Sequence, residues 1–239
     1  MSEALDRALV ESLAAELRAT SRAFTGGNVY HALMRARPEL GPRWSQQRFE
    51  RALERLVDRR PIAGLLPMRA AARTGRWPVA PREWDAYFPA AILVVDRPAI
   101  VDLFAASGVI VQSRIAVICV DGTPRHVVRW LQRAVRRGHR APVGYLHDQD
   151  TVLYPFLFEP LATLIERSRR APVAYRDLGI GPGRRLRDPL GYAGGRAAKA
   201  RRLEEVPPSC LVAYAVQEVL RMAPGDPMLA PIRPQESSS

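Results

Sequence analysis

The sequence predicts an α/β protein with a mostly helical first unit followed by a parallel sheet flanked by helices. Three observations lead to this. Ala91-Ile92-Leu93-Val94-Val95 and residues 115–120 are continuous apolar runs rich in β-branched side chains, the pattern of strands buried on both faces. A third run, Pro142-Val143-Gly144-Tyr145-Leu146, leads into His147-Asp148-Gln149-Asp150. Helix-like segments at residues 98–106 and 124–137 separate the three, giving β-α-β-α-β order.

In the first unit, Leu5, Leu9, Leu13 and Leu17 recur at helical spacing over residues 2–19. Thr25 or Asn28 can cap a second helix running through Met34, and Ser45 a third over residues 46–57. In that third helix Phe49, Leu53, Leu56 and Val57 form the inward stripe, with Arg48, Arg51 and Arg55 largely elsewhere. The chain then turns extended through Pro61 to Pro67. Three helices and a strand-like wing describe a winged helix over residues 1–70, whose third helix commonly enters the DNA major groove.

Residues 71–88, with Trp77, Pro78, Pro81 and Trp84, read as a linker, and residues 89–178 as the sheet domain with a possible fourth strand at Pro172-Val173-Ala174-Tyr175. Residues 179–223 are expected to form basic, glycine-containing loops and then helices over 195–205 and 209–222 that pack on the sheet. Residues 224–239 are expected to be a disordered tail.

Open parallel sheets place their sites outside the carboxyl ends of the strands. Asp96, Asp121, Asp148 and Asp150 all fall at such ends. Alternation along extended backbone points Asp148 and Asp150 the same way, an arrangement suited to a hard cation such as Mg²⁺ that keeps sites open for water and phosphate. The competing reading of Asp-x-Asp is a solvated turn or helix cap. For Tyr30 the competing reading is a packed helix aromatic, and for His147 a satisfied core histidine.

The formal charge of +12 over 239 residues points to a polyanionic partner, most simply DNA, although Lys199 is the only lysine and arginine-rich coding could raise the charge without selection for phosphate binding. Two cysteines, Cys119 and Cys210, fit reduced thiols and a cytoplasmic, nucleoid-associated setting. The acidic N-terminus and the lack of a long apolar run argue against export or membrane insertion.

A winged helix followed by Val94-Val95-Asp96, then Asp121-Gly122-Thr123-Pro124, then His147-Asp148-Gln149-Asp150 resembles a known group of proteins. It comprises the A subunit of topoisomerase VI, its meiotic recombination relatives and the nuclease subunit of bacterial Wadjet systems, which share a Toprim domain. The resemblance covers most of residues 20–165 and rests on motif order. It implies Mg²⁺ or Mn²⁺ held by Asp148 and Asp150, with Asp96 as third ligand or general acid/base and Asp121 as an outer-shell acid. It also implies a tyrosine nucleophile, for which Tyr30 in Val29-Tyr30-His31 is the candidate.

Arg48, Arg51, Arg55, Arg133, Arg136, Arg137, Arg140, Arg184, Arg185 and Arg187 would hold DNA, and a homodimer or a multi-subunit DNA-processing complex is implied. Asp96 departs from the glutamate usual in the family, and Gly26-Gly27-Asn28-Val29 replaces its usual aromatic context before the tyrosine. The expected function is Mg-dependent cleavage of DNA phosphodiesters. A catalytically decayed subunit for DNA binding or assembly is the alternative, with a winged-helix regulator carrying a small-molecule-sensing domain as a third reading.

Overall fold

Asp6 opens the first helix by accepting the backbone N–H groups of Ala8 and Leu9, and α1 runs Arg7–Thr20. The computed structural model describes residues 5–68, 89–119, 141–148, 175–179 and 202–222. Thr25 caps α2, Gly26–Ala36, in a reciprocal capping box with Asn28, so both candidate caps act at once. A 3₁₀ turn, Pro38–Leu40, leads to Ser45, which caps α3, Gln46–Arg59.

The three helices bury Val10, Leu13, Leu17, Val29, Leu33, Trp44, Phe49 and Leu53 in one cluster. Leu56 and Val57 of the expected stripe are only half-buried. After α3, Leu65 pairs in parallel with Phe24 in an isolated bridge, fixed by Phe24 N–H to the Gly64 carbonyl at 3.0 Å and Leu66 N–H to the Phe24 carbonyl at 2.9 Å. Gly64 supplies the positive φ, 84°, that this turn needs. Over residues 61–67, where an extended wing was expected, this bridge is the only strand-type pairing among the described residues, and the expected linker, residues 71–88, lies outside them.

The sheet follows the expected β-α-β order. Strand β1 is Ala91–Val95, α4 Pro98–Ala106, α5 Val109–Ser113 and β2 Ile115–Cys119. Strand β3 is Val143–Leu146 and β4 Tyr175–Asp177. All pairings are parallel, in the order β2-β1-β3-β4, with Val95 opposite both Cys119 and Leu146. The described fourth strand shares Tyr175 with the expected one and runs on to Asp177, and residues 172–174 are outside the described residues.

Helix α6, Pro208–Leu220, packs Leu211, Val212, Ala215, Val216 and Val219 into the sheet core. Full burial of each such Leu or Val is worth about 1.5–3 kcal/mol. Gly144 on β3 permits this approach, because a Cβ there would press on Val219 and Leu178. The helix expected over 195–205 is corrected at its end. Arg202 is extended, at φ −125° and ψ 145°, and Leu203–Glu205 form a 3₁₀ turn. The turn is held there by long-range polar bonds rather than by helical continuation. Residues 124–137, 180–201 and 223–239 lie outside the described residues. No helix among the described residues is long and apolar enough to cross a membrane.

Candidate functional site

The chain leaves β1 toward β2 on one side and later returns to β3 on the other, so the switch point lies between the carboxyl ends of β1 and β3. Asp96 is the first residue after β1, and Asp148 the second after β3. The two meet: the Asp148 N–H donates to Asp96 Oδ2 at 3.1 Å. Both side chains are more than nine-tenths buried, at 7% and 8% exposure.

Arg97, which the sequence reading passed over, occupies the space beside them. Its three guanidinium nitrogens face three carboxylates. Nη2 pairs with Asp148 Oδ2, Nη1 donates to Glu204 Oε2 at 2.7 Å, and Nε lies 4.0 Å from Asp96 Oδ1. The second Asp148 oxygen accepts the Leu203 N–H at 2.6 Å. A planar fork of this kind cannot be matched by a lysine ammonium.

Glu204 carries the cluster into the helical unit. Its Oε1 accepts from the Thr25 hydroxyl at 2.7 Å, and its Oε2 accepts from Gln46 Nε2 at 3.0 Å as well as from Arg97. Asn28 Nδ2 donates to the Glu204 carbonyl at 2.9 Å. The carboxylate lies over the start of α2, where free N–H groups and the helix dipole favour negative charge. Gly27 makes the seat, since a Cβ there would fall on the carboxylate itself. The strand-end acids, the 3₁₀ turn and the beginnings of α2 and α3 form one buried ionic junction.

This geometry bears directly on a cation. A Mg²⁺ or Mn²⁺ ion needs carboxylate oxygens turned toward a common point. Here both oxygens of Asp148 are engaged, one by a backbone N–H and the other by a guanidinium, and Asp96 Oδ2 serves the Asp148 N–H. In this arrangement Asp96 and Asp148 do not fit a divalent ion, because the guanidinium has its place. Among the described residues, no group of three or more His, Cys, Asp or Glu side chains is arranged to hold a metal. Asp150 and Asp121 lie outside the described residues.

His147 is buried at the same strand end. Its ring stacks on Tyr145 with centroids 4.6 Å apart, Nδ1 donates to the Asp148 carbonyl at 2.6 Å, and Nε2 meets Asp177 Oδ1 at 3.0 Å. Gly179 leaves room for the imidazole, which a Cβ at that position would strike. His147 is a satisfied core residue that ties β3 to β4.

Tyr30 is half-buried on α2. Its hydroxyl donates to the Trp44 carbonyl at 3.1 Å, and its ring packs on Phe49 and His31. These contacts join α2 to α3, and Tyr30 makes none with Asp96 or Asp148. The neighbouring His31 has its pKa lowered, first by burial, against the opposing pull of Glu205, whose Oε1 lies 3.9 Å from Nδ1.

On the outer face of α3, Arg48, Arg51, Arg55 and Arg59 are exposed. At about 100° per residue they fall within an arc of about 80° and span about 16 Å of helix. Arg51, Arg55 and Arg59 form no salt bridge with a described residue. Arg48 is braced, its guanidinium 5.3 Å from the Trp44 ring centroid and its Nη1 donating to the Arg43 carbonyl at 3.0 Å. Arg133, Arg136, Arg137, Arg140, Arg184, Arg185 and Arg187 lie outside the described residues.

The residues missed from sequence are Arg97, Glu204 and Gly27. Arg97 had a local signal, as a basic residue directly after a strand-end acid. Glu204 had none, because its partners lie 107 and 179 residues away. Comparison with family models, curated proteins and solved structures returns no match.

Proposed function

We propose that this chain is a DNA-binding protein with a winged-helix first unit and a Toprim-like sheet, acting in DNA binding or complex assembly without cleaving the backbone. The observation that carries the reading is the arginine face of α3. Four cations along about 16 Å of one helix oppose a duplex that bears about one negative charge per 1.7 Å of axis. Arg48 is held in place by Trp44, which lowers the entropy lost when it meets a phosphate. Such contacts position a protein on DNA and carry little sequence information. The bridge between Phe24 and Leu65 supports the winged-helix assignment, because it places extended chain after the third helix beside the link between the first two.

The non-cleaving half of the proposal follows from Arg97, whose charge already answers Asp148 and Glu204. A second reading, Mg-dependent cleavage by Asp96, Asp148 and Asp150, is favoured by the approach of Asp96 to Asp148 at the switch point. It requires the guanidinium to leave.

Incubation of the protein with supercoiled plasmid in Mg²⁺ or Mn²⁺ separates the two. The proposal expects a salt-sensitive mobility shift with the plasmid still supercoiled. Nicking or relaxation that disappears in Asp148→Ala would overturn it in favour of the second reading, and absence of any shift at low salt would overturn DNA binding itself.

A further inference from the structure

We infer that Arg97 is the built-in counter-cation of the strand-end acids, standing where a divalent ion would sit, and that its removal turns Asp96 and Asp148 into a divalent-cation site. The inference rests on the reading of the cluster as an ionic junction and is independent of DNA binding by α3.

Three features support it. Each guanidinium nitrogen faces a different carboxylate, Nε toward Asp96, Nη1 toward Glu204 and Nη2 toward Asp148, so one group gathers acids from β1, β3 and the 3₁₀ turn. All three carboxylates are more than nine-tenths buried while Arg97 is 29% exposed, so the acids are fixed and the cation enters from the solvent side. The neutral donors Thr25 and the Leu203 N–H hold the outward-turned oxygens, Glu204 Oε1 and Asp148 Oδ1, while Glu204 Oε2 and Asp148 Oδ2 face the guanidinium. A hard divalent ion in that position would meet oxygen ligands from two adjacent strand ends, the ligand type it prefers.

The test measures thermal unfolding of the full chain in EDTA and in millimolar Mn²⁺, for wild type, Arg97→Met and Arg97→Met/Asp148→Asn. The wild-type midpoint is expected to be the same in both buffers. Arg97→Met should melt lower in EDTA and regain about 5–10 °C in Mn²⁺, the rise expected of an ion present at about a hundred times its dissociation constant. Adding Asp148→Asn should abolish the regain. If Arg97→Met folds only with Mn²⁺, the inference also stands.

If it does not fold in either buffer, Arg97→Met/Glu204→Gln, with one buried charge fewer, replaces it. A Mn²⁺ response there supports the inference, and none overturns it. A folded Arg97→Met with no Mn²⁺ response overturns it, as does Asp148-dependent Mn²⁺ stabilisation of wild type. Plasmid nicking by wild type would instead sink the non-cleaving function, so the two failures are distinguishable.

Discussion

Replacing Glu204 by alanine should loosen the helical unit from the sheet, and its cost can be worked from the contacts. The carboxylate accepts from the Thr25 hydroxyl, the Gln46 amide and the Arg97 guanidinium at 2.7, 3.0 and 2.7 Å, and the residue is 5% exposed. Hydrogen bonds to a charged group are worth about 1.5–3 kcal/mol each, and breaking a buried ion pair by removing one partner costs about 3–5 kcal/mol. Arg97 keeps Asp148 and is 29% exposed, so water recovers part of the loss. The low end of that range applies, about 3 kcal/mol. For a chain of this size that lowers the unfolding midpoint by about 6–12 °C.

Calorimetry or circular dichroism would measure it. A double-mutant cycle of Glu204→Ala with Arg97→Met should show that the two losses do not add, since both remove the same pair. A Glu204→Ala midpoint within about 1–2 °C of wild type, less than about 0.5 kcal/mol, would refute the junction.

Other outcomes follow from the same geometry. Gly27→Ala should cost a similar amount, because its methyl displaces the Glu204 carboxylate, and should cost almost nothing further in the Glu204→Ala background. Reversing Arg51, Arg55 and Arg59 to glutamate should weaken DNA binding across unrelated sequences and flatten the plot of log affinity against log salt by about 3 or more; an unchanged slope excludes the α3 face. Tyr30→Phe should cost about 1 kcal/mol of stability through the Trp44 carbonyl, with DNA binding unchanged and no protein–DNA adduct to lose.

His31, held below its ordinary value of 6.5 by burial, takes up its proton more readily in the unfolded chain. Its contribution to stability is therefore complete above pH 6.5 and declines as pH falls from there toward the lowered folded value. His31→Gln should remove that part of the pH dependence in denaturant titrations.

The strands were legible because parallel strands buried on both faces read as unbroken β-branched runs, and the caps Thr25 and Ser45 because their side chains act through local bonds; the Asp6 cap, which starts α1 inside the helix expected over 2–19, was not read. The meeting of Asp96 and Asp148 followed from strand order, which places both at the switch point. What the acids face there was not legible. A carboxylate at a strand end looks the same in sequence whether its partner is a metal ion or an arginine, and the choice is made by Arg97 folding back on β1 and by Glu204 arriving from far along the chain. The 3₁₀ turn at Leu203–Glu205 was read as helix for the same reason, since its conformation is set by Thr25, Asn28 and Asp148 rather than by its neighbours. Gly27 carries no local signal of its role, because the carboxylate that needs its missing Cβ comes from residue 204.

Anomalous scattering from crystals of the wild-type protein soaked in Mn²⁺ distinguishes a guanidinium from a metal ion at the strand ends. The account predicts Arg97 density bridging Asp148 and Glu204, with no manganese peak between residues 96 and 148. A peak there, with the guanidinium swung out to solvent, would contradict it.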